Sequence, residues 1–350
     1  MRALVTGGAG FIGSALVRAL ADDGIPVAVL DSLTYAGNRA NLSGVPGMDG
    51  DLFFEADIRE TDRVREALAV FQPTVVFHLA AETHVDRSID GPAACFETNI
   101  RGTYCLLSEV TAYWKGLDAD TAAPFRYLQV STDEVFGDAP EGTAFVETSR
   151  YAPNSPYAAS KASADYLVRT WSMAFGLPTL IAHGANTYGP RQFPEKLIPL
   201  MTLNARDGRD LPVYGDGAQV RDWIYVDDHA AGLRAVAERG EVGQSYIVSA
   251  RNPRTNLEIV TRICARLDQR FPQAASHDRL ISHVADRPGH DRRYVSDPAR
   301  IEGELGWQAR TGFEDGIAAT VDWYLDNESW CETASARYDR QRLGLGAAAQ

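Results

Sequence analysis

A tyrosine and a lysine, Tyr157 and Lys161, stand four residues apart directly after Ser155 and Pro156. Serine followed by proline is typical of a helix start, so we expect both side chains on one face of a helix. A nearby ammonium favours the phenolate, and we expect it to lower the pKa of Tyr157. Such a base could take a hydroxyl proton while a hydride leaves the same carbon. Alternatively this is a surface Tyr–Lys pair, because the spacing arises by chance in about one such chain in ten.

A second group of polar residues, Ser131 to Gly137, follows an apolar run that we interpret as a β-strand. It holds a hydroxyl, Thr132, and two adjacent acids, Asp133 and Glu134. An epimerase removes and returns one hydride and needs only the tyrosine, the lysine and the hydroxyl. Elimination of water also needs an acid and a base, which two carboxyl groups supply when their environments separate their pKa values. The alternative is that the two acids only solvate the start of a loop.

A glycine-rich segment opens the chain, with the sequence GGAGFIG from Gly7 to Gly13 between a predicted strand and a predicted helix. Glycines at this spacing allow a tight turn and the close approach of a pyrophosphate to the helix N-terminus. Asp31 ends the second predicted strand, where a carboxylate accepts from ribose hydroxyls and repels a 2′-phosphate. Together these features predict NAD as the cofactor, in preference to NADP.

Apolar runs alternate with helical patterns along the first half of the chain. This alternation predicts an α/β fold, a doubly wound parallel Rossmann sheet with ligands at the carboxyl ends of its strands. Proline and glycine punctuate the chain after Asn186 (189–190, 193–194, 211–212 and 215–217), and we interpret these segments as loops. We expect an NAD-binding domain of residues 1–185 completed by 218–248, a smaller C-terminal α/β region of 186–217 and 249–333, and a poorly ordered tail, 334–350.

Composition excludes several classes of protein. The net charge of −13 disfavours nucleic acid as a partner, and no apolar stretch has the roughly 18 residues of a membrane helix. The four cysteines show no paired spacing and the histidines no HExxH motif, so we expect neither disulfides nor a metal site. The chain reaches its glycine cluster without room for a signal peptide, which indicates a cytoplasmic protein.

Several motifs together resemble the extended short-chain dehydrogenase/reductase superfamily. They include Thr6 to Gly13, His78 to Glu82, the segment 131–137 and Tyr157 to Lys161. Within the superfamily the chain resembles the nucleoside-diphosphate-glucose 4,6-dehydratases, and the dTDP-glucose enzymes most. Further segments carry this likeness to about residue 330: 84–89, 193–199, 219–223 and 287–294.

The resemblance implies a role for each catalytic residue. Tyr157 takes the carbon-4 hydroxyl proton beside Lys161, Thr132 steadies that oxygen, and the hydride passes to NAD. Glu134 then removes the carbon-5 proton while Asp133 protonates the leaving carbon-6 hydroxyl. The same NADH returns the hydride to carbon 6, so the cofactor should stay bound. Related decarboxylases carry serine in place of Asp133, which argues against that reaction.

The resemblance also implies that the smaller C-terminal α/β region is the nucleotide-sugar-binding region, and it implies two sets of binding residues. Cofactor contacts are expected at Gly7, Gly10, Phe11, Ile12, Gly13, Asp31, Ser32, Leu33, Thr34, Asp57, Ile58, Leu79, Ala80, Ala81, Thr98, Tyr157 and Lys161. Substrate contacts are expected at Thr83, Thr132, Asn186, Thr187, Lys196, Leu197, Pro212, Tyr214, Arg221, Asn256, Arg287 and His290. Arg221 is our first choice for the diphosphate, because a guanidinium suits paired phosphate oxygens. A homodimer through a four-helix bundle of 103–113 and 157–175 is expected as well.

Two segments depart from the dTDP-glucose enzymes. Thr187 stands where they usually have asparagine, and His183-Gly184-Ala185 replaces a polar or Cys-containing triplet. We therefore expect dTDP-glucose as the preferred substrate by a reduced margin, with UDP-glucose as a second substrate. The alternatives are a UDP-glucose 4,6-dehydratase, a nucleotide-sugar 4-epimerase and, in another class, a catalytically silent NAD-binding regulator. His78 is expected to be structural, and His84 and His229 receive no role.

Overall fold

The computed structural model describes residues 1–286, 289–336, 338 and 340. Arg287 and most of the predicted tail lie outside the described residues. The strands are Ala3–Thr6 (β1), Val27–Asp31 (β2), Phe53–Glu55 (β3), Val75–His78 (β4), Arg126–Thr132 (β5), Thr179–Gly184 (β6), Asn186–Tyr188 (β7), Leu211–Tyr214 (β8), Val220–Tyr225 (β9), Ser245–Val248 (β10), Pro253–Thr255 (β11), Ile281–Val284 (β12) and Arg293–Tyr294 (β13).

The helices connect and cover these strands. They are Phe11–Asp22 (α1), Thr61–Phe71 (α2), Val85–Asp90 (α3), Pro92–Cys95 (α4), Thr103–Lys115 (α5), Ala119–Ala122 (α6), Pro156–Phe175 (α7), Leu197–Arg206 (α8), Val226–Arg239 (α9), Asn256–Arg270 (α10), Ala299–Leu305 (α11), Phe313–Asp326 (α12) and Glu328–Ser335 (α13). Short 3₁₀ turns occupy Arg39–Leu42, Asp133–Phe136 and His277–Leu280, and a π-helical turn occupies Phe96–Gly102.

The main sheet of the described chain has seven parallel strands in the order β10-β6-β5-β4-β1-β2-β3. Its order reverses between β1 and β4, and ligands of such sheets bind in the crevice beyond this point. The predicted doubly wound parallel sheet is confirmed.

Both faces of the main sheet are buried. Successive residues of a strand point to opposite sides, so each face packs in a core of its own. Val5 of β1 packs in a core that includes Leu16 of α1 and Leu233 of α9. Leu4 belongs to the opposite core, which includes Leu106 of α5. Parallel strands covered on both faces explain the near-continuous apolar runs in the sequence.

The smaller region contains regular elements where we expected loops. Strands β7, β9, β11 and β13 form one sheet, β8 and β12 form another, and helices α8, α10 and α12 pack beside them around a separate apolar core. The interpretation of 211–212 as a loop is wrong, because Leu211 and Pro212 lie in β8. A proline without an N–H is tolerated there because β8 pairs only with β12, at an edge.

Candidate active site

The glycine-rich turn joins β1 to α1 at the point where the sheet order reverses. Gly7 has a φ of +72°, and a Cβ there would lie 2.6 Å from the backbone nitrogen of Ala80. A Cβ on Gly13 would lie 2.1 Å from the carbonyl oxygen of Gly7. Helix α1 begins without a side-chain cap or an acidic residue in its first turn. Its N-terminal N–H groups can therefore donate to an anion, which fits the pyrophosphate of a dinucleotide.

Asp31 ends β2 beside this turn and is 7 % exposed. Its Oδ2 accepts from the N–H of Ala9 at 2.9 Å, and its Oδ1 accepts from the N–H of Leu33 at 2.8 Å. Burial raises the pKa of this carboxyl, and the two backbone hydrogen bonds oppose that rise. Each oxygen keeps a second lone pair for a ribose hydroxyl. The residues present thus fit a dinucleotide with a free 2′-hydroxyl.

Asp57 lies after β3 and lines the same cleft as the glycine turn. Burial would raise its pKa, but hydrogen bonds from Arg59 outweigh burial and hold the pKa below its ordinary value. The guanidinium of Arg59 donates to both carboxylate oxygens, at 2.9 and 2.6 Å. The neighbouring Ile58 is 3 % exposed and offers an apolar surface to the same cleft.

One cleft gathers most of the predicted site residues. All five predicted catalytic residues line it. The predicted cofactor residues that line it are Gly7, Gly10, Phe11, Ile12, Gly13, Asp31, Ser32, Thr34, Asp57, Ile58, Leu79, Ala80, Ala81 and Thr98. Leu33 is absent from the lining. Its backbone has a φ of 48°, and its N–H is directed to the carboxylate of Asp31.

Tyr157 and Lys161 lie on α7, whose start is capped as predicted, with Ser155 Oγ accepting from the N–H of Ala158 at 3.1 Å. Lys161 Nζ donates to the carbonyl oxygen of Val130 at 2.8 Å. The expectation that the pKa of Tyr157 is lowered beside Lys161 is wrong. Burial and then the charge of Glu134 raise the pKa of Tyr157 well above its ordinary value. A hydrogen bond with Thr132 opposes that rise.

The two adjacent acids have different surroundings. Asp133 is 1 % exposed, whereas Glu134 is only half-buried. Burial, followed by the charges of Glu134 and Asp222, raises the pKa of Asp133 well above its ordinary value. Asp133 Oδ2 has no hydrogen-bond partner among the described residues. The raised pKa favours the protonated form of Asp133, which is the form that an acid requires.

The predicted substrate residues fall into two groups. Thr83, Thr132, Asn186, Thr187 and Lys196 line the cleft with the cofactor residues. Leu197, Pro212, Tyr214, Arg221, Asn256 and His290 do not. Of the second group, Tyr214 packs edge-on against the ring of His290 at 6.1 Å. Arg221 lies over the ring of Tyr294 at 4.1 Å and donates to the carbonyl oxygen of Asp291 at 2.9 Å.

Several residues without a predicted role also line the cleft. They are Glu82, Gln192, Phe193, Glu195 and His229, among others. His229 Nδ1 lies 2.7 Å from Thr187 Oγ1, and burial lowers the pKa of its imidazole to about 4. Burial raises the pKa of Glu195, whose Oε1 accepts from the hydroxyl of Tyr35 at 3.1 Å. Glu82, Phe193 and Glu195 lie within motifs that carry the resemblance but had received no role, whereas Gln192 and His229 lie outside those motifs and reach the cleft through contacts between distant segments.

His78 is structural, as expected. Its Nδ1 lies 2.7 Å from Thr6 Oγ1 and its Nε2 lies 3.1 Å from Thr103 Oγ1. Burial and the charge of Lys161 lower the pKa of the imidazole to about 3.

The four cysteines are unpaired and buried. The described residues contain no helix long and apolar enough to cross a membrane, and no cluster of possible metal ligands.

Known proteins resemble this chain over nearly all of its length. The family model described as GDP-mannose 4,6 dehydratase matches residues 4–320. The protein named dTDP-glucose 4,6-dehydratase 1 of Escherichia coli is 49 % identical over 346 residues, with 96 % of each chain covered. The dTDP-glucose 4,6-dehydratase of Xanthomonas campestris is 49 % identical over 344 residues, covering 97 % of this chain and 98 % of that one.

Solved structures show the same fold. DesIV from Streptomyces venezuelae, a dTDP-glucose 4,6-dehydratase crystallised with NAD, is 44 % identical with a TM-score of 0.86, covering 95 % of this chain and 100 % of that one. The UDP-glucose 4-epimerase of Thermus thermophilus in complex with NAD is 33 % identical with a TM-score of 0.82, covering 93 % and 100 %. Sequence, fold and cleft agree, and the chain belongs to the family of nucleotide-sugar 4,6-dehydratases, among the dTDP-glucose enzymes.

Proposed function

We propose that this protein is an NAD-dependent dTDP-glucose 4,6-dehydratase. It converts dTDP-glucose to dTDP-4-keto-6-deoxyglucose and water. The observation that carries the proposal is the buried acid Asp133 beside Glu134, in one cleft with Tyr157 and the glycine-rich turn. Relatives about half identical over nearly the whole chain bear the name of this activity.

We assign the cofactor to the residues around the glycine-rich turn. The first turn of α1 would bind the pyrophosphate, Asp31 the ribose, and Asp57 with Ile58 the region of the adenine. Held by these residues, NAD would supply a hydride acceptor for carbon 4, a hydride donor for carbon 6 and a positively charged ring in the cleft. Residues 1–185 with 218–248 would form this NAD-binding domain, and 186–217 with 249–333 the region that binds the nucleotide sugar.

Oxidation at carbon 4 requires a base for the hydroxyl proton. Tyr157 is that base, with Thr132 at hydrogen-bonding range of its hydroxyl. Burial disfavours the phenolate, so positive charge is needed in the site before Tyr157 can accept the proton. Lys161 supplies part of that charge from the same face of α7, and its own hydrogen bond to Val130 fixes the ammonium in place.

Elimination across carbons 5 and 6 requires an acid and a base. The carbon-4 ketone acidifies the proton on carbon 5, and Glu134 removes it and returns it to carbon 5 when the hydride has reached carbon 6. Asp133, whose pKa is raised by burial and neighbouring carboxylates, gives its proton to the leaving carbon-6 hydroxyl, which departs as water. A 4-epimerase has no use for this acid, so a buried Asp133 with a raised pKa favours the dehydratase over the epimerase.

The nucleotide and the assembly complete the proposal. We infer that dTDP-glucose is preferred and that UDP-glucose is a second substrate. Unpaired thiols are typical of cytoplasmic proteins, which supports a cytoplasmic location.

A homodimer is supported by large apolar side chains exposed on α5 and α7: Tyr104 at 51 %, Tyr166 at 57 % and Met173 at 89 %. Light scattering should give twice the chain mass of 38.2 kDa, and a monomer at micromolar concentration would refute the dimer.

One incubation tests the activity. The purified protein is mixed with dTDP-glucose without added NAD, and the product is identified by mass spectrometry and NMR. A 4-keto-6-deoxy product is expected. A carbon-4 epimer would instead support the epimerase, and no turnover of dTDP-glucose or UDP-glucose would support the silent NAD-binding protein.

A further inference from the structure

One buried histidine lines the cleft without a role in the reaction described above. His229, in the first turn of α9, is 1 % exposed and belongs to the cleft lining. Its Nδ1 lies 2.7 Å from Thr187 Oγ1, whereas its Nε2 has no hydrogen-bond partner among the described residues. A buried polar nitrogen without a partner is costly, so this atom indicates a ligand that completes its hydrogen bonding.

The contacts of Thr187 determine which form of the imidazole is present. Thr187 Oγ1 also lies 3.1 Å from the carbonyl oxygen of Ala185, which can only accept. The single hydroxyl hydrogen therefore goes to Ala185, and the Nδ1–H of His229 donates to Thr187 Oγ1. Burial lowers the pKa of the imidazole to about 4, so the ring is neutral at neutral pH. Nε2 thus carries a lone pair, and the missing partner is a donor.

A glycine makes room for the imidazole ring. Gly184 is the last residue of β6 and lines the same cleft. A Cβ at this position would lie 2.4 Å from Cε1 and 2.7 Å from Nε2 of His229. Gly184 also belongs to the triplet in which this chain departs from the dTDP-glucose enzymes. The ring edge that carries Nε2 therefore reaches the carboxyl end of the sheet because residue 184 has no side chain.

This edge lies beside the reacting groups, on the face of the sheet opposite to the base. Gly184 pairs with Thr132, whose hydroxyl hydrogen-bonds with Tyr157. Ala182, two residues before Gly184, packs in the core of α1 and α9, so residue 184 faces the same helices. Tyr157 comes from α7, whose Val168 packs in the opposite core. The histidine and the base therefore approach the strand ends from opposite sides.

The two sides receive different ligands. A dinucleotide on the glycine-rich turn enters from α1, which packs against α9, so its nicotinamide end reaches the side of His229. The sugar must present its carbon-4 hydroxyl to Tyr157, on the side of α7. The nicotinamide has one hydrogen-bond donor, the N–H₂ of its carboxamide, and its ring is positively charged. A neutral imidazole with a free lone pair matches that donor and does not repel the ring.

We propose that His229 is a cofactor-binding residue: its Nε2 accepts a hydrogen bond from the carboxamide N–H₂ of NAD and fixes the rotation of the nicotinamide ring. Thr187 selects the tautomer, and Gly184 provides the space. The rotation of the ring decides which of its faces meets the sugar. The inference rests on the proposed function only for the identity of the cofactor.

Competition between two dinucleotides tests the proposal without any turnover. In 3-acetylpyridine adenine dinucleotide, a methyl group replaces the N–H₂ and the rest of NAD is unchanged. The purified full chain is equilibrated with mixtures of NAD and this analogue, free dinucleotide is removed by gel filtration, and the bound dinucleotides are quantified by chromatography. We expect the wild type to prefer NAD by about 5- to 150-fold, the equivalent of one buried polar group left unpaired.

Substitutions of His229 separate the two imidazole nitrogens. His229→Asn keeps a polar group at the place of Nδ1 and removes Nε2, so its preference for NAD should fall below about 3-fold. His229→Gln places an amide near the position of Nε2 and should keep the preference within about 3-fold of the wild type. His283→Asn makes the same change at an exposed histidine outside the cleft lining and should leave the preference unchanged.

The outcomes separate this proposal from the proposed function, because the competition contains no sugar. A wild type that binds both dinucleotides equally, or an unchanged preference in His229→Asn, would overturn the role of His229 even if the protein is an active dehydratase. A rise in KM for dTDP-glucose with no change in the preference would place the donor on the sugar and refute the proposal. A preference lost in His229→Asn supports it even in a protein that does not turn over dTDP-glucose.

A second variant covers the case in which His229→Asn does not fold. Gly184→Ala keeps the histidine but puts a Cβ where the ring edge lies, so the ring must move away. The preference for NAD over the analogue should then fall below about 3-fold, as in His229→Asn. An unchanged preference in Gly184→Ala would refute the proposal.

Discussion

Replacing Asp133 by asparagine removes a proton donor and changes little else. The side chain is 1 % exposed, and its Oδ2 has no hydrogen-bond partner among the described residues. Its pKa is raised well above the ordinary value by burial and by the charges of Glu134 and Asp222, which favours the neutral carboxylic acid. An amide of the same size remains neutral and fills the same space, but it cannot give a proton to the leaving hydroxyl.

The expected loss follows from the role of a single general acid. One positioned acid contributes roughly 10²- to 10⁴-fold to the rate, which corresponds to about 2.7–5.4 kcal/mol of barrier. We therefore expect kcat of Asp133→Asn to fall by about this factor. Oxidation at carbon 4 does not use this acid, so substrate should still produce enzyme-bound NADH, visible by its absorbance.

Stability provides the matched control. A carboxyl whose pKa rises on folding destabilises the folded protein increasingly as pH rises above its unfolded value of 3.8. Asp133→Asn removes this cost, so it should be at least as stable as the wild type at pH 7 to 8. Glu141→Gln, an exposed change in the following segment, should alter neither turnover nor stability. Near wild-type turnover of Asp133→Asn, or a loss of turnover explained by unfolding, would refute the assignment.

Three further predictions concern the base, the cofactor and the nucleotide. Glu134→Gln removes the base at carbon 5 and should lower kcat by about 10²- to 10⁴-fold, while NADH still forms on mixing with substrate. Unchanged turnover would exclude Glu134 as the base at carbon 5. Asp31→Asn places an amide N–H₂ against one of the two backbone N–H groups that donate to the carboxylate. We expect it to weaken NAD binding about 10- to 150-fold, the equivalent of one charged hydrogen bond. The NAD content of the protein after dialysis measures this effect, with the exposed Asp51→Asn as the control. Thr187→Asn should raise the ratio of kcat/KM for dTDP-glucose over UDP-glucose. An unchanged ratio would show that Thr187 does not read the nucleotide, and a wild type that prefers UDP-glucose would contradict the dTDP assignment.

The fold could be predicted because local patterns determine it. Helix α7 was expected from 157 to 175 and extends over Pro156–Phe175, since serine, proline and the apolar spacing all act within the helix itself. The apolar runs along the first half of the chain likewise indicated a parallel sheet, because its strands are buried on both faces. The elements after Asn186 were less visible, because short strands interrupted by proline and glycine resemble loops.

The site was predictable where chemistry follows a motif and unpredictable where it depends on distant contacts. The two acids at the end of β5 were found from their sequence, but the separation of their environments required the fold. The charge of Asp222, which helps to raise the pKa of Asp133, comes from a segment almost 90 residues away. The π-helical turn Phe96–Gly102, which brings Thr98 to the cleft, has no signature in composition or periodicity.

Transfer of the carbon-4 hydrogen tests the central claim most directly. The purified protein is incubated with dTDP-glucose carrying deuterium at carbon 4, without added NAD, and NMR locates the label in the product. If oxidation, elimination and reduction occur in one cleft with one resident cofactor, the deuterium appears at carbon 6 of a 4-keto-6-deoxy sugar. Loss of the label to water, or its return to carbon 4 of an epimerised sugar, would contradict the account.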